Sequence, residues 1–169
     1  ISSKQSIKRN EVNVLFLKDL KELKFKPNWL NIENEKFLIY NSKARKIKQP
    51  YLFETEFGCF LIIPLLKNSD DYSLDIENQG GLIFDKISSE FYDNISFYID
   101  DEIYSSNLLR GFCLKSYKFQ NYKSNRNESK IKNILVFSQN YSKIKSSFQF
   151  NLNLVRGVNF TRDLVWKPA

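Results

Sequence analysis

The stretch TEFGCFLIIPL, residues 55–65, contains most of the longest apolar run of the chain and decides the fold. It has the length of a β-strand, and its continuous apolar character predicts a strand that is buried on both faces. Pro64 closes it, because proline lacks the amide hydrogen that a central strand donates. Such a strand is typical of a parallel or mixed sheet that is covered by helices.

Strand and helix patterns alternate on both sides of this stretch. Runs of strand length predict further strands at residues 12–17, 34–40, 94–99 and 131–138. Helical spacing predicts a first helix with Ile76, Gly80, Ile83, Phe84, Ile87 and Phe91 on one face and Ser69, Asp70 and Asp71 at its start. A second helix carries Tyr104, Leu108 and Phe112 on one face, and a closing helix runs from about Ser147 to Lys167, before Pro168.

Strands separated by helices of this length predict βα units. We therefore expect an α/β fold: a single three-layer domain with a mixed, mostly parallel central sheet flanked by helices.

Composition narrows the range of functions. The chain has no histidine, which removes the usual general base near neutral pH and the commonest zinc ligand. Its five glycines form no phosphate-binding pattern, so Gly80 and Gly81 are expected to serve helix packing.

The apolar surroundings of Cys59 and Cys113 favour reduced thiols of a cytoplasmic protein over a disulfide. No apolar run reaches the roughly 18 residues of a membrane helix, and because methionine is absent we expect a trimmed N-terminus.

The formal net charge of +7 is unevenly distributed along the chain. Residues 1–50 carry a net charge of +7, residues 51–105 of −10 and residues 106–169 of +10. The two basic segments could form a nucleic-acid-binding surface. Alternatively, the acidic middle segment meets the basic segments within the fold or between subunits, and AT-rich codons account for much of the excess of lysine.

Two acidic stretches are candidate cation sites, since carboxylate oxygens suit hard cations. One of them is Asp100, Asp101 and Glu102, which could bind such a cation. Their position at the predicted start of a helix favours a role as capping residues instead. The acidic residues between Asp70 and Glu77 miss the spacing of a calcium-binding loop.

The segment LKSYKFQNYKS, residues 114–124, alternates aromatic and basic side chains. Such a pattern could stack single-stranded bases on its aromatic rings while Lys115, Lys118 and Lys123 contact phosphates. The alternative is a helix end whose aromatic side chains enter the core while its lysines stay in water.

The closing stretch GVNFTRDLVWKPA, residues 157–169, resembles the junction between the two domains of the leucyl aminopeptidase family. The matching residues are Gly157, Val158, Asn159, Arg162, Asp163, Leu164, Val165, Pro168 and Ala169. A second block, residues 108–124, is similar to another stretch of the family through Gly111, Leu114, Tyr117, Phe119, Tyr122 and Lys123. Together the two blocks cover about the last third of the chain.

The resemblance implies that residues 1–150 form a macro-domain-like N-terminal domain and that residues 151–169 form a helix linking it to a catalytic domain outside this chain. It implies that Gly157, Asn159, Arg162, Asp163, Leu164 and Pro168 belong to this linker. Family members remove N-terminal residues from peptides with two divalent metals, manganese or zinc, which the catalytic domain binds. We therefore expect no catalytic, cofactor or metal site in this segment.

The resemblance also implies partners and a role. The chain would contact its own catalytic domain, assemble as a hexamer and shape access to the active site, and in some bacterial relatives the domain takes part in DNA binding. Two alternatives stay open: a nucleic-acid-binding module that uses residues 1–50 and 106–169, and a free-standing macro-like domain that binds a nucleotide derivative.

Overall fold

The computed structural model describes residues 10–16, 50–55, 58–64, 71–88, 92–117 and 131–166. These residues form, in order, β1 (Glu11–Phe16), β2 (Tyr51–Thr55), β3 (Gly58–Ile63), α1 (Tyr72–Ser88), β4 (Asn94–Tyr98), α2 (Glu102–Ser116), β5 (Asn133–Phe137) and α3 (Tyr141–Trp166). The chain divides into two compact units, a strand unit with β1 to β5 and a helical unit with α1 to α3. The predicted α/β class is confirmed.

The strand unit is a five-stranded sheet in the order β2-β3-β1-β4-β5. β1 pairs in parallel with β3 and β4, β5 pairs in parallel with β4, and β2 runs antiparallel to β3. Residues 12–16 and 59–63 are buried without a break, because both faces of these inner strands are apolar or hydrogen-bonded. The predicted mixed, mostly parallel sheet is therefore confirmed, and its edge strand β5 is largely exposed.

Polar side chains in the middle of the sheet satisfy one another. The buried Asn13 side chain donates from Nδ2 to the Cys59 carbonyl oxygen (3.3 Å) and accepts from the Tyr98 hydroxyl (3.3 Å). The hydroxyl of the buried Ser96 donates to the Glu11 carboxylate. Since a buried polar group without a partner costs about 1–3 kcal/mol, these bonds allow polar residues inside an apolar sheet.

The sequence prediction is wrong at the start of its strongest strand. Residues 55–65 are predicted as one strand, whereas β3 begins at Gly58 and a separate strand, β2, ends at Thr55. Gly58 has a φ of 133°, a backbone conformation that glycine adopts readily and other residues rarely do. Gly58 is the first residue of β3 and pairs with Thr55, the last residue of β2, so the run that reads as continuous contains the end of one strand and the start of the next. The strand predicted at residues 34–40 lies outside the described residues.

The buried faces of the helices follow the predicted spacing. On α1 the buried residues are Ile76, Gln79, Gly80, Ile83, Phe84 and Ile87. On α2 the buried residues include Leu108 and Phe112, and the Phe112 ring meets the Phe84 ring edge to face at 5.3 Å. Asp71 directly precedes α1, while the predicted positions Ser69, Asp70 and Phe91 lie outside the described residues.

α1 and α2 cross with their backbones in close contact. A Cβ atom on Gly80 would lie 2.0 Å from the carbonyl oxygen of Leu108, and a Cβ atom on Gly111 would lie 1.9 Å from that of Glu77. Only glycine permits this distance between the helices. The predicted packing role of Gly80 is confirmed, whereas the neighbouring Gly81 has only ordinary contacts with a side chain.

α3 begins earlier than the sequence predicts. The prediction starts at about Ser147, but the helix starts at Tyr141, and its buried side already includes Ile144. Lysines on both sides of Ile144 and three nearby serines weaken the apolar period there. The helix is described as far as Trp166, and the predicted end at Lys167 and Pro168 lies outside the described residues.

The two cysteines are free thiols, as predicted. Cys59 is buried in β3, and burial raises the pKa of the half-buried Cys113 in α2. Within the described part of the chain, no helix is both long enough and apolar enough to cross a membrane.

Candidate functional site

The two sequence blocks that resemble the aminopeptidase family meet in the helical unit. Leu114 lies in the last turn of α2 and Tyr117 caps that helix, while Asn159, Arg162 and Asp163 lie near the end of α3. We call these five residues the motif contact. Each block thus places its polar or aromatic residues at the C-terminal end of a helix.

Arg162 is the centre of the motif contact. Its Nη1 donates to the Leu114 carbonyl oxygen at 3.0 Å and to Oδ1 of Asn159 at 3.5 Å. Its guanidinium group also lies over the Tyr117 ring, 5.4 Å from the ring centre, at a distance that suits a cation–π interaction. The last carbonyl groups of a helix lack intrahelical partners and carry partial negative charge, so a cation at this point stabilises the end of α2.

Asp163 holds the other side of the same tyrosine. The Tyr117 hydroxyl donates to Oδ1 of Asp163 at 2.6 Å, a short bond as expected of a hydrogen bond to a carboxylate. Burial, this hydrogen bond and the negative charge of Asp163 raise the pKa of Tyr117 to about 12, although the Arg162 cation acts in the opposite direction. Neutral Tyr117 is therefore clamped between a cation and an anion of α3.

The stability that Tyr117 contributes should depend on pH. Because its folded pKa of about 12 lies above the usual value near 10, the contribution is complete below about pH 10 and declines as the pH approaches 12. We expect Tyr117→Phe to lower the urea midpoint at pH 9, and the difference from the wild type to shrink towards pH 12. Urea titrations at several pH values test this, and a difference that grows with pH would contradict it.

A cleft of about 480 Å³ adjoins the motif contact. Its lining residues come from all three helices: Glu77, Asn78, Gly81, Leu82, Asp85, Gly111, Leu114, Lys115 and Arg162. The four charged residues among them have partners within the protein, since Glu77 binds Arg110, Asp85 binds Lys115 and Arg162 binds the α2 carbonyl. The charged side chains that line the cleft therefore bind other groups of the protein, and these contacts hold the helices together.

Sequence patterns miss a polar cluster beside this cleft. Arg110 contacts Oε2 of Glu77 through Nε at 2.6 Å and Nη2 at 2.5 Å, and its Nη1 donates to Oδ1 of Asn151 at 3.4 Å. One side chain on α2 thereby joins α1 and α3. Its partners lie 33 and 41 residues away in sequence, so no local period relates them.

The residues predicted to contact nucleic acid are only partly described. Lys115 forms an ion pair with Asp85 at 3.0 Å, and Tyr117 is held by Arg162 and Asp163. Lys118 and Lys123 lie outside the described residues. The stacking platform at residues 114–124 stays a prediction, although its first tyrosine already has partners.

The acidic stretch before α2 behaves as a helix start. Asp101 caps α2, and its side chain accepts a hydrogen bond from the Tyr104 amide at 2.9 Å. Asp100 accepts from the Ser138 hydroxyl (2.9 Å) and the Gln139 amide (2.7 Å). The capping interpretation is confirmed for Asp101. Among the residues that the structure describes, no group of three or more side chains is arranged to hold a metal ion.

The other linker residues differ in their surroundings. Leu164 is exposed, and a Cβ atom on Gly157 would meet no atom of the described residues within 4 Å. Pro168 lies outside the described residues. Arg162, Asp163 and Asn159 therefore hold α3 within the helical unit, whereas Gly157 and Leu164 face away from its contacts.

This α/β fold is also found in one part of leucine aminopeptidase. A mutant of tomato leucine aminopeptidase is similar over 99% of this chain and 37% of its own, with a TM-score of 0.66 and 15% identity. Two structures of the bottromycin maturation enzyme BotP, one in complex with Mn, each match 95% of this chain, with TM-scores of 0.60 and 0.61 and 11% identity. The chain thus spans about a third of the length of these proteins.

At these identities the likeness establishes the fold, and the predicted resemblance to leucyl aminopeptidases is confirmed at that level. No family model matches the sequence, and no curated protein matches it closely enough to be a relative.

Proposed function

We propose that this chain is the non-catalytic N-terminal domain of a leucyl aminopeptidase-like enzyme that removes N-terminal residues from peptides. The observation that carries the proposal is the fold match over 99% of the chain to an aminopeptidase that is nearly three times longer. In this proposal residues 1–150 form the domain, and residues 151–169 lead towards a catalytic domain. We also propose a cytoplasmic location, because both cysteines are free thiols.

The motif contact supports this proposal, because in it the two family-like blocks contact each other. Arg162 and Asp163 fasten the end of α3 to the end of α2 through Leu114 and Tyr117. Because α3 is held near its end, the polypeptide that follows it would continue in one fixed direction towards the next domain. Such a domain would keep a constant orientation, which suits a role in assembly and in access to an active site.

The chemistry of peptide hydrolysis would come from the other domain. Two divalent metals, manganese or zinc, would activate water and polarise the scissile carbonyl there. The residues described in this chain supply contacts between helices, and their charged groups around the cleft are paired with one another. The proposed contribution of this chain is therefore positional.

The first experiment is to read the coding sequence beyond Ala169 and to assay the whole gene product for manganese-dependent release of leucine from a leucyl peptide. We expect release that a chelator stops. Arg162→Ala in the whole product should lower the rate by about tenfold or more, because small displacements in an active site have large effects. Lys115→Ala, which breaks only an exposed ion pair with Asp85, should leave the rate unchanged.

Two results would contradict the proposal. One is a stop codon directly after Ala169, and the other is a folded whole product that releases no leucine from any leucyl peptide. Equal rates for Arg162→Ala, Lys115→Ala and the wild type would contradict the positional role of the motif contact and leave the aminopeptidase assignment intact.

A further inference from the structure

The cleft beside the motif contact is lined by an arginine that uses only part of its hydrogen-bonding capacity. A guanidinium group carries N–H donors on three nitrogen atoms. Arg162 donates from Nη1 alone, to the Leu114 carbonyl oxygen and the Asn159 side chain. Within the part of the chain that the structure describes, its Nε and Nη2 have no hydrogen-bond partner. These two nitrogens lie side by side on one edge of the group, and such an edge matches the two oxygens of a carboxylate.

The positive charge of Arg162 also lacks an anion. Its partners are a carbonyl group, a side-chain amide and the Tyr117 ring, all of which are neutral. No carboxylate of the described residues forms an ion pair with it, and the adjacent Asp163 accepts from the Tyr117 hydroxyl instead. Because Arg162 is only half-buried and lines the cleft, an anion that enters the cleft can reach it.

The other charged residues of the cleft limit which anion fits. Glu77 and Asp85 line the same cleft and form ion pairs with Arg110 and Lys115. A ligand with one negative charge is attracted by Arg162, whereas these two carboxylates would repel a second negative charge. The cleft therefore favours a singly charged carboxylate over a phosphate dianion.

The rest of the lining suits a ligand with an apolar body. Leu82 is 54% exposed, Leu114 also lines the cleft, and Gly81 and Gly111 add no side chains to it. A cleft of about 480 Å³ is large enough for an amino acid or a short peptide. An alkyl side chain beside the ligand carboxylate would cover the exposed Leu82 and remove apolar surface from water.

We infer that the cleft between α1, α2 and α3 binds the carboxylate of a small apolar amino acid or of a peptide C-terminus, through Nε and Nη2 of Arg162. The two sources offer the same carboxylate and differ in whether the ligand nitrogen is charged. The inference rests on the cleft alone and does not depend on the proposed aminopeptidase function. A failed leucine assay would leave it standing.

The first test titrates the 169-residue chain with N-acetylvaline and follows the Nε–H signal of Arg162 by NMR. We expect a dissociation constant of about 2–5 mM, which ordinary ligand efficiency gives for a molecule of this size. The uncharged amide of N-acetylvaline should bind at least about tenfold more weakly, since it offers no charged pair of oxygens. Phosphate should bind no better than N-acetylvaline.

Valine itself distinguishes the two sources of the carboxylate. Its nitrogen is charged, as in a free amino acid, whereas the nitrogen of N-acetylvaline is neutral, as in a peptide. Tighter binding of valine would assign the cleft to a free amino acid, because Glu77 and Asp85 then attract the ammonium group. Tighter binding of N-acetylvaline would assign it to a peptide C-terminus.

The second test changes the cleft. Arg162→Lys keeps the positive charge but lacks the paired donors, and it should weaken N-acetylvaline binding by at least about tenfold. Because Arg162 also fastens α3, Asn78→Asp is an independent variant: Asn78 lines the cleft and is exposed, so aspartate adds a negative charge with little change in shape. It should weaken binding by about three- to tenfold. Asn153→Asp is the matched control, since Asn153 is exposed on α3 and does not line the cleft.

Several results would overturn the inference. One is an Arg162 signal that does not shift with N-acetylvaline up to about 50 mM. Others are equal binding of N-acetylvaline and its amide, or tighter binding of phosphate than of either. Equal affinities of Asn78→Asp and Asn153→Asp for N-acetylvaline would also overturn it, because the ligand would then lie outside the cleft.

Discussion

Replacing Gly80 with alanine is expected to lower the free energy of unfolding by about 3 kcal/mol, at the upper end of the usual range for overpacking. The new Cβ atom would lie 2.0 Å from the carbonyl oxygen of Leu108, a distance that requires the two helix backbones to move apart. Such a movement would also disturb the contact between Phe84 and Phe112 and the Arg110 cluster, which depend on the same crossing. Gly111→Ala should have an effect of similar size, because its Cβ atom would lie 1.9 Å from the Glu77 carbonyl oxygen.

Gly81→Ala is the matched control for Gly80→Ala. The two glycines are neighbours in α1, but a Cβ atom on Gly81 would meet only the Lys115 side chain at 3.8 Å, an ordinary contact. Alanine should then raise the stability by up to about 1 kcal/mol through its higher helix propensity. Urea denaturation followed by circular dichroism gives both values. Equal changes for the two variants would mean that the close crossing of α1 and α2 does not limit stability.

The second large effect is expected at Arg110. Arg110→Ala should lower the free energy of unfolding by about 2 kcal/mol, because it leaves Glu77 with only 23% of its side chain exposed and without its cation. The contact with Asn151 on α3 is lost at the same time. Replacing both charged partners, as Arg110→Met with Glu77→Gln, should restore part of the loss, since no unpaired charge then remains.

Lys115→Ala tests whether the large effect expected of Arg110→Ala is due to the burial of its ion pair. Lys115 also lies on α2 and also pairs with a carboxylate of α1, but both side chains of its pair with Asp85 are 52% exposed. Exposed pairs contribute about 0–1 kcal/mol, so we expect a change below about 0.5 kcal/mol. Chemical denaturation of the three variants and the wild type completes the comparison. If Lys115→Ala destabilised as much as Arg110→Ala, the effect of burial would be disproved.

Burial makes the inner strands readable in the sequence. β1, β3 and β4 are found close to their predicted positions, because both faces of an inner parallel strand are buried and apolar residues therefore predominate in it. β2 is missed, since its residues YLFET join the following apolar run without a turn pattern. The antiparallel pairing of β2 with β3 shows the break, and Gly58 begins β3 with a positive φ.

The candidate site was partly predictable. The family resemblance singles out Arg162, Asp163 and Tyr117 as individual residues. That they touch could not be read from a period or spacing, because the Tyr117–Asp163 bond joins residues 46 positions apart on different helices. The Arg110 cluster, to which the resemblance gave no pointer, was missed entirely. Charge and spacing thus predict which residues are unusual, while the crossing of helices decides which of them become partners.

The position of β1 in the middle of the sheet has a consequence for biosynthesis. β1 is the earliest of the described strands, yet its partner β4 begins 83 residues later, with Glu11 opposite Asn94. At about 5–20 residues per second, a ribosome needs roughly 4–17 s to reach β4 after making β1. During that time an apolar strand has an unpaired side, which favours aggregation and recognition by chaperones. Newly made copies of this protein should therefore depend on chaperones more than the finished fold suggests.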